Sequence, residues 1–330
     1  MSLDEQVPSK NRKPERHLLP LIVDVKRESL EDGPGMRSVV FFKGCPLRCT
    51  FCHNPESQSP DPEIAFSLRA CIRCGKCAEG CPQGAADFDF ESRIHREKCV
   101  GCGQCAEGCP GRGLRLVGTY RDPESLAQVL LQDISFYEVS GGGVTLSGGE
   151  PTLYPDYVEA LLKILKARDI HIVLQTSGYF DFASFERKIL PYIDLVYFDI
   201  KFADSELHRE YTGESNGKIL ENFRRLRSSG KVSLQPRIPI IPGITATKEN
   251  LTSIVNFLCD AGAESVSLLP YNPMGMDMYS SLGKPKPPLP DRFMKPEEER
   301  ELTALFESIL REKGGQGVMI PMGDMASSYS

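Results

Sequence analysis

No apolar run in this sequence approaches the ~20 residues of a membrane span. Its opening stretch, MSLDEQVPSKNRKPERHLLP, lacks the apolar core a secretory signal needs. Neither charge dominates: 39 Lys and Arg against 45 Asp and Glu leave a formal −6, which offers no field to gather a polyanion. Ser-His-Asp and Cys-His sets are also missing. His17, His95, His171 and His208 have no partner at metal or nucleophile spacing, and His53 follows a cysteine it can pack or hydrogen-bond beside. The expectation is a soluble cytoplasmic protein with a flexible leader at 1–17, no nucleic-acid or membrane partner, and chemistry that needs neither base nor nucleophile.

What the chain does hold is cysteine, twelve in 330 residues, all but Cys259 in closely spaced groups. A long chain without an export signal uses such thiols as metal ligands rather than as disulfides. Cys259, inside SIVNFLCDAGA, reads as a small buried hydrophobe. The run CIRCGKCAEGCPQGA at 71–85 returns as CVGCGQCAEGCPGRG at 99–113, an offset of 28 residues. Both match the bacterial ferredoxin pattern, in which the fourth cysteine of each run serves the other cluster. By that crossing, one ligand set is Cys71, Cys74, Cys77 and Cys109, and the other is Cys99, Cys102, Cys105 and Cys81. Zinc has no use for four such thiolates plus a proline given twice. Residues 64–118 are therefore expected to be an inserted ferredoxin-like domain that carries electrons.

Around the insert, at 18–63 and 119–313, short apolar strands alternate with amphipathic helices. Strands are expected at 37–42, 143–148, 171–176, 195–200, 232–240 and 265–270. Helices are expected at 155–168, 182–190, 216–229, 247–261 and 296–312, the last opening on Pro296 with three glutamates in its first turn. Six strands separated by helices imply right-handed crossovers and an α/β fold, a parallel sheet curled into a barrel or partial barrel. Functional residues should then lie at the strands' carboxyl ends, and 314–330 reads as a tail beyond the last packed helix.

The stretch KGCPLRCTFCHNPES, 43–57, sets Cys45, Cys49 and Cys52 in eight positions with no fourth nearby. A four-iron cube held by three thiolates leaves one iron open to an outside ligand. SGGEP at 147–151 follows a strand: its glycines let backbone approach a small ligand, and Glu150 can accept from an ammonium. In DIK at 199–201, Asp199 and Lys201 point the same way because alternate strand residues share a face.

The Cys-x3-Cys-x2-Cys motif, with the aromatic Phe51 just before its last cysteine, resembles the signature of radical S-adenosylmethionine (SAM) enzymes. DGPGMRSVVFFKGCPLRCTFCHNPES at 32–57, VYFDIK, IPIIPG and LLPYNPMG narrow this to the glycyl-radical enzyme activating enzymes. The likeness covers about 20–312, including the two-cluster insert of a subset of that family. It implies a partial (β/α)6 radical SAM barrel with three 4Fe–4S clusters. SAM would chelate the open iron and be cleaved reductively to a 5′-deoxyadenosyl radical, which takes a hydrogen from a glycine of a partner glycyl-radical enzyme. Reduced flavodoxin or ferredoxin is the expected electron donor.

By the same resemblance, Gly148, Gly149 and Glu150 meet the SAM amino group, and Lys201, beside Asp199, suits a carboxylate. Arg237 meets the SAM carboxylate, Thr176 lines the pocket, and the DGPG turn lines the opening for the partner's glycine loop. Two positions depart from the family pattern. Gln175 stands where well-known members have an acidic residue, which bears on a cation beside the substrate carboxylate. Asn272 stands where some have histidine, which bears on an adenosine contact. Two other readings compete: a radical enzyme acting on a small molecule, of the 7-carboxy-7-deazaguanine synthase type, and a carrier whose clusters only relay electrons.

Overall fold

The computed structural model describes residues 19–313 and the backbone of 318–320. The expected leader and most of the expected tail lie outside the described residues. The strands are β1 (Leu21–Ser29), β2 (Arg37–Phe42), β3 (Glu63–Phe66), β4 (Leu114–Val117), β5 (Thr119–Tyr120) and β6 (Gly143–Gly148). They continue as β7 (His171–Thr176), β8 (Leu195–Asp199), β9 (Ser233–Pro239), β10 (Ser265–Leu269) and β11 (Val318–Ile320). The main sheet runs β11-β10-β9-β8-β7-β6-β2-β1-β5. From β2 to β11 every pairing is parallel, and β1 and β5 close that edge antiparallel.

All six expected strands are present within a residue of their expected bounds. Two differences concern the edges. β1 was not anticipated, because its outer half, VKRES, is too polar to stand out as a strand; it is held by pairing with β2. β11 falls inside the expected tail, where it pairs with β10 and extends the parallel sheet.

The sheet's two faces differ in chemistry. Val40, Phe42, Val144, Leu146, Ile172, Leu174, Val196, Phe198 and Ile238 belong to one large apolar cluster with the covering helices. On the opposite face Thr145, Ser147, Gln175, Gln235 and Arg237 are hydrogen-bonded to one another or to neighbouring loops, with a small apolar cluster of Val173, Leu195 and Tyr197 among them. Side chains of period two therefore separate a packed outer layer from a polar lumen. A filled α/β barrel would instead stack branched aliphatics inside. Several covering helices begin on a capping side chain, with Asp122, Asp181, Asp204 and Thr247 each accepting an amide of the first turn.

The insert has its own two-stranded ribbon, β3 antiparallel to β4, and its own small core of Ile64, Phe66, Ala86, Ile94, Cys105 and Leu114. The sequence repeat is structural: the short helices Lys76–Glu79 and Gln104–Glu107 each follow a left-handed glycine, Gly75 at φ 75° and Gly103 at φ 84°.

Arg37 closes the amino ends of the strands. It is fully buried with no carboxylate bonded to it. Its guanidinium donates to Thr145 Oγ1 (2.7 Å), to the carbonyls of Val144 (2.7 Å) and His171 (3.0 Å), and to that of Pro34 in the DGPG turn (2.9 Å). Burial pulls its pKa down to about 10. Gly33, at φ 138°, is required there, since a Cβ would lie 2.9 Å from Arg37 Cδ. Replacing Arg37 with Met keeps volume but leaves buried acceptors unpaired, at roughly 1–3 kcal/mol each. The expected outcome is a loss of at least about 3 kcal/mol in denaturant unfolding, and Arg37→Lys should recover only part of it.

Candidate functional site

The loop after β2 carries Cys45, Cys49 and Cys52, and its backbone is pinned from several sides. The amides of Gly44 and Cys45 donate to Ser57 O (2.7 Å) and Gln58 O (3.1 Å), and those of Arg48 and Thr50 to Thr212 O (2.7 Å) and Tyr211 O (2.9 Å). Gln58 Nε2 donates to Cys49 O (3.1 Å) and Tyr279 Oη to Cys52 O (3.0 Å). These bonds fix the course of the loop's backbone. Phe51 is buried with Phe202, Ile241 and Tyr271 beneath it.

Burial pushes the Cys45 thiol up to about 12. Cys49 and Cys52 also stand above the ordinary thiol range, through burial and, for Cys52, the nearness of the other two sulfurs. Three such thiols ionise together only when a cationic group compensates them, as an iron–sulfur group does. The residues fit that group. Cys259 lies far along the chain in helix Lys248–Asp260, packed against the main core but only partly buried, where full burial was expected.

SGGEP supports this loop directly. Gly149 N donates to Phe42 O and Glu150 N to Gly44 O, each at 2.8 Å. A Cβ on Gly149 would sit 2.1 Å from Gly44 O, and one on Gly148, at φ 96°, 2.5 Å from Phe42 N. The close approach these glycines permit is to the start of the cysteine loop. The Glu150 side chain is fully buried. Its oxygens accept from Thr152 Oγ1 (2.7 Å), Thr176 Oγ1 (2.9 Å), Ser177 N (2.8 Å) and Ser177 Oγ (2.6 Å). These bonds tie the carboxyl ends of β6 and β7 together through one carboxylate. Thr152 and Ser177, which complete the arrangement, carry no spacing signal that marks them.

At the ends of β8 and β9, Asp199 accepts Arg237 Nε (3.1 Å) and Nη2 (2.9 Å) through one oxygen and faces Lys201 Nζ at 3.5 Å through the other. The Arg237 guanidinium also lies over the Tyr197 ring, 4.6 Å from its centroid. Burial alone would lower the Lys201 pKa, but Asp199, Cys49 and Cys45 outweigh it and raise it. Burial would raise Asp199, yet Arg237 and Lys201 hold it below the ordinary carboxylate range. Two cations about one anion leave a net positive charge facing the cysteines. Asn272 Oδ1 caps the turn Pro273–Gly275 by accepting Met274 N (2.9 Å), and Asn272 O faces His53 Nδ1 at 3.3 Å. Gln175 accepts from Ser147 Oγ (2.6 Å) and donates to Asp32 of the DGPG turn (3.1 Å).

In the insert, one cavity is lined by Cys71, Cys74, Cys77 and Cys109 with Phe66, Arg93 and Leu114. Another is lined by Cys81, Cys99, Cys102 and Cys105 with Ile64 and Ile94. The crossed sets are what the chain brings together, and both fit an iron–sulfur group. Backbone amides of Ala85 and Gly113 donate to Cys81 and Cys109 sulfur, each at 3.2 Å, the kind of contact that tunes cluster potential.

This site and sheet define a radical SAM enzyme: residues 95–255 match the Radical SAM superfamily, 31–85 a 4Fe-4S single cluster domain and 63–110 a 4Fe-4S dicluster domain. The isethionate sulfite-lyase activating enzyme of Oleidesulfovibrio alaskensis is 41% identical, covering 89% of this chain and 96% of that protein. The trans-4-hydroxy-L-proline dehydratase activating enzyme of Clostridioides difficile is 38% identical, covering 88% and 96%. Streptococcus suis SuiB bound to precursor peptide SuiA shares the fold at a TM-score of 0.51 and 14% identity, covering 87% of this chain and 48% of that one. The chain belongs to the glycyl-radical enzyme activating enzymes, which use SAM to generate a glycyl radical on a partner enzyme. Among the described residues no helix is long and apolar enough to cross a membrane.

Two outcomes follow from this geometry. Gly149→Ala, which drives a methyl into Gly44 O, should lose iron from the N-terminal site while the insert keeps its own, read by iron content and Mössbauer spectroscopy. Because the Asp199 pKa is depressed, its contribution to stability is present above its unfolded value, about 4, and is lost as pH falls through the folded value. Asp199→Asn should flatten that acid limb of the stability profile while lowering stability at neutral pH.

Proposed function

We propose that Cys45, Cys49 and Cys52 hold a 4Fe–4S cluster whose fourth iron is reserved for the amino and carboxylate groups of SAM, and that the insert holds two more, three in all. The observation that carries this reading is how the thiols are distributed: eight of the other cysteines line the insert's two cavities, and Cys259 sits in helix Lys248–Asp260, packed against the main core. When bound, the cluster supplies the electron that cleaves SAM to methionine and, after hydrogen-atom abstraction from glycine, 5′-deoxyadenosine.

The chain's own residues bind and position. Arg237 is tied to Asp199 at 2.9 Å, whereas Lys201 stands off at 3.5 Å and is the cation more readily turned to the SAM carboxylate. Phe51, Thr176, Asn272 and the backbone at Gly148 and Gly149 form the rest of the SAM rim, with Glu150 fixing it from behind. The polar lumen receives the partner's glycine loop, with Asp32 and Gln175 in its lining. A hydrogen atom moves whole, so no side chain need serve as a base. Reduced flavodoxin or ferredoxin supplies electrons, in the cytoplasm, where thiol ligands stay reduced.

Anaerobic reconstitution with iron and sulfide, followed by reduction and addition of SAM, should yield 5′-deoxyadenosine; a fully loaded protein giving none would refute the proposal. With the glycyl-radical enzyme encoded beside it, electron paramagnetic resonance should show a glycine doublet, and adenosine without the doublet would point to a small-molecule substrate. Cys45→Ala should abolish cleavage, while Cys74→Ala should slow electron supply and leave the N-terminal site loaded. Lys201→Ala should raise the KM for SAM roughly 10- to 150-fold, the equivalent of about 1.5–3 kcal/mol for one charged hydrogen bond.

A further inference from the structure

The insert's two cysteine sites stand in series, and their order follows from the ribbon that joins insert to barrel. Its barrel end pairs Glu63 with Val117 and its far end pairs Phe66 with Leu114. Glu63 is anchored to the barrel by Lys43 (2.6 Å) and Lys284 (3.2 Å). The site of Cys81, Cys99, Cys102 and Cys105 includes Ile64, near that anchored end. A Cβ on Gly101 would sit 2.3 Å from Pro62 O, on the short link that leads back to Gln58 and the Cys45 loop. The site of Cys71, Cys74, Cys77 and Cys109 includes Phe66, Gly113 and Leu114 at the far end.

The far end also has a distinctive surface. Leu68 is 70% exposed and Ile72 63%, side by side with exposed Arg69, Arg73, Lys76 and Arg112. The loop bearing Arg112 packs here, since a Cβ on Gly111 would lie 3.0 Å from Ile72 Cγ2 and 2.8 Å from Ala70 O. Glu79 is the acidic residue on the adjoining helix. The near site is flanked instead by mixed charge at Glu97, Lys98 and Glu107 around exposed Val100. In a chain of formal charge −6, residues 68–79 and 111–113 carry four cations against the one acid Glu79, although Asp87 and Asp89 flank Phe88, which also lines the site. An acidic protein is repelled by most of this molecule and steered to that end.

Resting on the activating function proposed above, we infer that the far end of the insert, centred on Leu68 and Ile72, is the docking surface for an acidic one-electron carrier protein whose cofactor edge is ringed by carboxylates. One electron leaves the carrier, which is oxidised by one, and the iron–sulfur group held by Cys71, Cys74, Cys77 and Cys109 is reduced by one; no bond or proton changes hands. Arg93, buried beside that site and 4.2 Å from the Phe88 ring centroid, places a fixed positive charge where the added negative charge arrives. The partner glycyl-radical enzyme has a different destination, the lumen beside the cysteine loop.

The test uses the full, reconstituted chain and a recombinant acidic flavodoxin, with binding measured by titration calorimetry at low and high ionic strength. The triple variant Leu68→Glu, Arg69→Glu, Arg112→Glu should weaken flavodoxin binding at least tenfold and flatten its salt dependence. Arg69→Glu alone should give a smaller shift in the same direction. Both should keep their iron and cleave SAM normally with dithionite, which needs no docking. Unchanged flavodoxin affinity in the triple variant, an equal loss on reversing Lys98 at the near end, or a loss confined to affinity for the glycyl-radical enzyme would overturn the inference. If dithionite drives no cleavage in the parent chain while flavodoxin binding still tracks the patch, the activating function fails and the docking surface stands.

Discussion

The site depends on one close contact between backbones, that of Gly148 and Gly149 against Phe42 to Gly44. Two amide-to-carbonyl bonds of 2.8 Å cross it, and no side chain fits between. Because β2 and β6 are neighbours in parallel register, their carboxyl ends arrive together, and the contact fixes where the cysteine loop begins. Glu150 extends the same constraint to β7 through Thr176 and Ser177. A buried carboxylate is costly unless its oxygens are fully occupied, and here hydroxyl and amide donors occupy them. Loop, strand ends and the rim for a small ligand therefore behave as one unit.

The polar lumen answers a different requirement. A barrel interior filled with aliphatics gains burial but admits nothing, whereas this one holds hydroxyls, amides and an ion cluster bonded among themselves. The molecule recovers apolar burial on the outer face, where the helices pack. Arg37 and the DGPG turn hold the amino ends of the strands together, and the cysteine loop occupies the carboxyl ends. The lumen can thus hold polar groups on either side of its small Val173, Leu195 and Tyr197 cluster, while the sheet's attachment to its helices stays apolar.

Much of this was legible in the sequence, for identifiable reasons. The central strands are continuous apolar runs bounded by turns, so β2, β6 and β7 fall where the pattern puts them, and the crossed cysteine sets follow from the match of both runs to the bacterial ferredoxin pattern. The less legible parts depend on partners distant in sequence. β1 is polar along its outer half and exists through pairing, and the helices Pro123–Leu130 and Ser205–Thr212 are short, though each starts on an aspartate cap that could have marked it. That Thr152 and Ser177 donate to the Glu150 carboxylate is not visible in the sequence, where both look ordinary. Nothing at Tyr279 hints that its hydroxyl reaches Cys52 O across 227 positions.

Charge is arranged on two scales. Overall the chain is acidic, yet its two redox regions sit beside cations: Lys201 and Arg237 near the three-cysteine loop, and Arg93 with Arg73 and Lys76 near the far site of the insert. On the proposals above, each is where negative charge would arrive, as a carboxylate in one case and as an added electron in the other. The duplicated insert keeps backbone geometry in both halves, down to the left-handed glycine before each short helix, but not side-chain charge. Arg73 and Lys76 of the first run and Arg112 of the second gather toward the site that includes Phe66 and Leu114, the end of the ribbon away from its Glu63 anchor.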